Sequence, residues 1–260
     1  MTDALEDFTA TTFTHEGVTK DVYRAGTGPG VVVLSEMPGI TPSVAAFARR
    51  LVDQGFTVAM PSLFGTDGRD VSTPYIMKSM TRGCVSREFT TWALNRTSPV
   101  IDWLRALARD LHKQCGGPGV GAIGMCFTGG FALAMSVDDE MMAPVLSQPS
   151  LPMAAGKDRK RALGLSDADL ARVAGREDLC VLALRFTGDR AVPKERFEHL
   201  REVLGDRVVT VEIDNSADNV HGIPRLAHSV VTEHLVDEPG HPTRDALDQV
   251  LAFFKDRLAG

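Results

Sequence analysis

Short runs of β-branched and apolar residues alternate with longer stretches of helical spacing along most of the 260 residues. That rhythm predicts an α/β fold with a mostly parallel sheet flanked by helices on both faces, because each parallel strand needs a long crossover to return beside its neighbour. The strands "VVVLS" (31–35) and "FTVAM" (56–60) bracket "TPSVAAFARRLVDQG", in which Val44, Phe47, Ala48, Leu51 and Val52 fall on one helical face before Gly55 ends the pattern. Farther on, "SPVIDWLRALARDLHKQCGG" has Ser98 to cap a helix and Pro99 to start it, and the strand "VGAIGM" follows. "GGFALAM" reads as a buried helix, "APVLSQPS" as a strand ending in a loop, and "CVLALRF", "PKERFEHLREVLG" and "VVTVEI" as strand, helix and strand. A last helix is expected from about 243 to 258. At the other end, "TTFTHEGVTKDVYRAGTGPG" predicts an antiparallel hairpin over about 8–28, turning at Glu16-Gly17. Residues 61–98 predict a loop and then a helix; about 152–176 predict a helical insertion capped by Ser166. The sum is about eight strands in a single domain over 1–260.

Composition excludes several roles. No apolar run approaches the roughly eighteen residues of a membrane helix, and the acidic start "MTDALEDF" lacks a basic n-region, so a cytoplasmic protein without a membrane partner is expected. The four cysteines show neither a C-x-x-C pair nor metal-ligand spacing, which predicts free thiols and no metal. Net charge is -6 with no basic block, so nucleic acid is not the expected partner. A small molecule is, taken by a monomer or small homo-oligomer that needs no cofactor.

In such sheets ligands bind beyond the carboxyl ends of the strands. The polar residues there are Glu36, Cys126, Asp189 and His221. Cys126 taken alone is either a packed core thiol or a nucleophile on a tight turn. The set favours the second reading, because a thiol needs a base and the base needs a carboxylate to fix its tautomer. His228 competes with His221 for the base; His221 is preferred because it sits in a loop, whereas His228 falls in what looks like a following helix. Nucleophile, acid and histidine follow one another in the order found in α/β-hydrolases. The elbow departs from G-x-S-x-G: Gly124 is in place, but Thr128 stands where the second glycine belongs and the glycines come one step late, at 129 and 130. A slightly more open elbow is the expectation.

With "VVVLSEMPGITP", "VAMPSLFG", "GMCFTGG", "FTGDRAVP" and "NVHGIPR", the chain resembles the dienelactone hydrolases over about residues 20–258. The resemblance implies an α/β-hydrolase fold, with Cys126 as nucleophile, His221 as general base and Asp189 as its orienting carboxylate. It also implies that Glu36 interacts with the resting thiol and activates it when substrate arrives. Backbone N–H groups of Met37 and Phe127 would form the oxyanion hole. Arg225, four residues after His221, and one of Arg82 and Arg87 would grip the carboxylate of an anionic substrate. A thiolate leaves a tetrahedral intermediate easily, so the acyl substrate must carry a good leaving group, as enol lactones and thioesters do and simple alkyl esters and amides do not; a small enol lactone or similarly activated ester is the expected substrate. The alternatives are a thioesterase or carboxylesterase on the same triad, and a redox-sensing or binding protein that uses Cys126 as an oxidisable thiol.

Overall fold

The computed structural model describes residues 2–72, 74–76, 79, 98–151 and 156–259. β1 (Thr9–His15) and β2 (Val18–Ala25) form the expected hairpin. Its two turn residues, Glu16 and Gly17, both have positive φ (48° and 77°), which matches the right-handed twist of the flanking strands. β3 (Gly30–Leu34), α1 (Pro42–Asp53) and β4 (Thr57–Pro61) make the first βαβ unit, with the Thr41 side chain accepting from the Val44 N–H to cap α1. α2 (Pro99–Cys115) leads into β5 (Val120–Met125), and after a tight 3-10 turn come α3 (Gly129–Met135) and β6 (Met141–Ser147). Two short helices, α4 (Lys157–Arg161) and α5 (Asp167–Ala174, capped by Ser166), occupy the polar stretch before β7 (Val181–Phe186). α6 (Lys194–Leu204), β8 (Val208–Ile213) and α7 (Pro242–Leu258) complete the chain.

The eight strands form one sheet in the order β1-β2-β4-β3-β5-β6-β7-β8, parallel from β4 to β8, with the hairpin added antiparallel at one edge. Alternate residues of the buried strands feed opposite cores. Val32 and Leu34 of β3 and Ala122 of β5 pack with α2, α3 and α6, while Val31, Val33 and Ile123 pack with α1 and α7. Strand order reverses between β3 and β5, and the crevice beyond their carboxyl ends is where such sheets hold ligands. Glu36 and Cys126 stand just past these two ends. Among the described residues no helix is long and apolar enough to cross a membrane.

Candidate active site

The turn after β5 is as tight as a displayed nucleophile requires. Cys126 has φ of 54°, a left-handed conformation that costs a non-glycine residue energy and that the surrounding backbone must enforce. The neighbours show how. A Cβ at Gly124 would lie 2.0 Å from the Thr128 carbonyl oxygen, and one at Gly129 would lie 2.5 Å from the Pro149 Cα, so both positions exclude a side chain. At position 128 the backbone offers hydrogen-bond partners instead. Its φ is -85°, and its buried hydroxyl accepts from the Met125 N–H (2.9 Å) and points its proton at the carbonyls of Leu34 (3.0 Å) and Met125 (2.9 Å). The late glycine is therefore the one the packing needs, and Thr128 ties the elbow to β3 instead of opening it.

The imidazole beside Asp189 is that of His228, not His221. The ring Nδ1–H of His228 donates to Asp189 Oδ2 at 2.5 Å, and Cys126 lines the same cavity, close enough to act on the charge of that ring. Burial pushes the imidazole pKa down, but the negative charge developed at Cys126 and the Asp189 carboxylate outweigh it and raise the pKa to about 11. His221 is exposed, its ring edge-on to His241 at 5.4 Å. Residues 214–236 contain turns and no helix, so His228 is on a loop too and the expected preference for His221 on that ground falls away. What separates the two is tertiary: His228 precedes Val230 and Val231, which are buried and anchor their segment to the core.

Moving the histidine moves its neighbours. Arg225 is exposed and takes part through its carbonyl, which accepts from Asn215 Nδ2 at 3.2 Å. The residue four after His228 is Thr232, buried and bonded to Glu36. Arg82 and Arg87 lie outside the described residues. Glu36 is 4% exposed and its carboxylate accepts from Ser229 Oγ (2.5 Å), Thr232 Oγ1 and Gln148 Nε2 (3.3 Å), so it contacts the histidine's loop and not, as expected, the resting thiol. Burial raises its pKa, against the pull of the two hydroxyls. The thiol partner is a residue the sequence reading missed. Ser150 Oγ lies 3.2 Å from Cys126 Sγ, and the Ser150 N–H donates to the Cys126 carbonyl at 2.9 Å. Its only sequence signal was a polar residue shortly after a strand end.

Two buried side chains brace the loops. Asn215 accepts from the Gly188 N–H (2.7 Å) and donates to the carbonyls of Pro224 and Arg225, coupling the Asp189 turn to the segment that leads to His228. Arg196, 2% exposed, donates to the carbonyls of Pro149 (2.7 Å) and Ala162 (2.8 Å), and burial pushes its pKa down to about 10. A cavity of about 890 Å³ opens over Cys126 and His228. Met37, Pro38, Val71, Ile76, Phe127 and Leu151 give it an apolar wall, and Arg190 is the one lysine or arginine among its described lining residues. Among the described residues, no group of three or more His, Cys, Asp or Glu side chains is arranged to hold a metal ion.

Known structures share this architecture. A Klebsiella pneumoniae protein that bears the dienelactone hydrolase name is 17% identical over 95% of this chain and 97% of that one, with a TM-score of 0.67. A dienelactone hydrolase-like promiscuous phosphotriesterase from metagenomic libraries is 19% identical over 97% and 98%, at 0.65. The thioesterase domain of the curacin biosynthetic pathway is 11% identical over 94% and 99%, at 0.57. At such identities these likenesses speak to the fold. No curated protein is significantly similar in sequence. The profile of the dienelactone hydrolase family matches residues 18–258, almost the whole chain. The chain thus belongs to the dienelactone hydrolase family, ester-bond hydrolases of the α/β-hydrolase superfamily.

Proposed function

We propose that Cys126, His228 and Asp189 hydrolyse a small activated ester, enol lactone or thioester through a thioacyl-enzyme. The observation that carries this reading is the hydrogen bond from the His228 ring to Asp189 in the same cavity wall as Cys126, whose charge acts on that ring. The raised pKa of His228 keeps a protonated imidazole beside Cys126 in the resting site. The thiolate attacks the acyl carbon and the C–S bond forms. Main-chain N–H groups of Phe127 and Met37, residues that both line the cavity, stabilise the oxyanion. The intermediate collapses with cleavage of the acyl C–O or C–S bond, and the leaving group takes the His228 proton. Neutral His228 then accepts a proton from water as its oxygen attacks the thioacyl carbon, and expulsion of Cys126 thiolate restores the ion pair and frees the acid. The apolar wall suits an acyl group with an apolar body; a substrate carboxylate, if present, would be met by Arg190 at the rim. An oxidisable-thiol sensor needs no tautomer-fixing carboxylate, so the Asp189 contact favours the enzyme.

The test is mass spectrometry of protein quenched within milliseconds of mixing with an enol lactone, a p-nitrophenyl ester or an acyl thioester. A transient acyl adduct on the peptide holding Cys126, absent in Cys126→Ala, is the expected result. Hydrolysis of the panel at equal rates by wild type and Cys126→Ala would overturn the proposal.

A further inference from the structure

Gln148, the residue directly after β6, is fully buried with φ of 38°, a conformation unfavourable for any residue but glycine. Its main-chain N–H donates to the Leu184 carbonyl at 2.8 Å, which anchors it to β7. Its carboxamide then bonds in two directions. Oε1 accepts from the Val230 N–H at 3.3 Å and from the Ser147 hydroxyl; Nε2 donates to Glu36 Oε2 at 3.3 Å. Glu36, in turn, accepts from Ser229 and Thr232. Three of the four residues after His228 are therefore held by the Gln148 and Glu36 pair, from the ends of two strands.

The chemistry at position 148 is narrowly defined. The site needs one group that accepts from a main-chain N–H and donates to a carboxylate, which an amide does. A glutamate would set a second carboxylate against Glu36, and a methionine of similar length would fill the space and make neither bond. We infer that Gln148 is a positioning residue: together with Glu36 it fixes the loop that aims His228 at Cys126, and its strained backbone is retained because only that conformation delivers the amide to both partners. This rests on the reading of His228 as the general base.

The experiment compares wild type, Gln148→Met, His228→Ala and the double variant, with p-nitrophenyl butyrate as probe and circular dichroism as the control for folding. A second readout is independent of turnover: the downfield proton resonance of the His228 Nδ1–H bonded to Asp189, assigned by its loss in His228→Ala. Expected for folded Gln148→Met are loss or broadening of that resonance and a drop in kcat of about 10- to 100-fold with KM within twofold, the scale of a misplaced catalytic group. In the His228→Ala background the same substitution should change nothing further, because both act through one ring. Gln148→Gly relieves the backbone strain as well as removing the amide; it should lose activity like the methionine variant, because the lost bonds and not the strain set the loop, and it stands in if that variant does not fold. A native resonance in either folded variant, with turnover within twofold of wild type, would overturn the inference. Undiminished turnover in His228→Ala would instead overturn the reading of the triad.

Discussion

Replacing Thr128 tests whether the elbow needs a small residue or this hydroxyl. The side chain is fully buried, and its oxygen is the acceptor for the Met125 N–H. In Thr128→Val the shape is kept, but that N–H loses its partner inside the protein, a loss of about 1 to 3 kcal/mol, and the hydroxyl's own bond to a carbonyl of Leu34 or Met125 goes as well. Relief of the buried hydroxyl offsets part of this, leaving a net cost of about 2 kcal/mol. Thr128→Ser keeps the hydroxyl and gives up one methyl group, roughly 1 kcal/mol. Thr128→Gly restores the usual glycine spacing, yet φ of -85° gives glycine no advantage. It loses the hydrogen bonds and the methyl group and adds the entropy of a glycine, together about 3 to 4 kcal/mol. The assay is equilibrium denaturation, with thermal midpoints expected to fall by about 2 to 4 °C per kcal/mol in a chain of this size. The predicted order of stability is wild type, Ser, Val, Gly. A glycine variant as stable as wild type would show that position 128 asks only for smallness.

Gly129→Ala should cost about 1 to 3 kcal/mol in the same assay, because the new methyl meets the Pro149 backbone, which has no rotamer to yield. Arg196→Met removes a buried charge but leaves the carbonyls of Pro149 and Ala162 without their donor; a net loss of about 2 to 4 kcal/mol is expected, accompanied by reduced turnover because Pro149 adjoins Ser150. The Asp189–His228 pair gives a pH signature. An imidazole raised from 6.5 to about 11 contributes stability that is complete below pH 6.5 and is lost as pH rises towards 11. Denaturation midpoints measured across that window should decline in wild type and decline less both in Cys126→Ala and in Asp189→Asn; curves parallel to wild type in both variants would show that neither partner holds the proton.

Most of the architecture was legible because strand and helix periods differ and every central strand is buried on both faces, which writes continuous apolar runs such as "VVVL" and "VLAL" into the sequence. The elbow was legible for a related reason: Gly124 and Cys126 sit where a strand must turn sharply into a helix. The base was not. "HGIPR" and "HSVVT" are both histidines followed by apolar residues at short range, and what separates them is a tertiary fact, the burial of Val230, Val231 and Thr232 against Glu36 and Gln148. Choosing His221 carried the error to Arg225, which was identified only by its distance from that histidine. Glu36 was found by position but assigned to the wrong partner, since nothing local says whether a carboxylate past β3 turns towards the β5 elbow or towards a loop 193 residues away. Ser150 and Gln148 had weak signals for the same reason, their partners being distant in the chain.

The most direct test of the account is steady-state turnover of His228→Ala and His221→Ala measured side by side on one activated ester, with folding verified for both. Among the described residues, His228 is the histidine that bonds Asp189 and stands beside Cys126. The account predicts a loss of about 10³-fold or more in kcat for His228→Ala, as expected for removal of a nucleophile's base, and wild-type turnover for His221→Ala. Full activity without His228, or its collapse without His221, would contradict it.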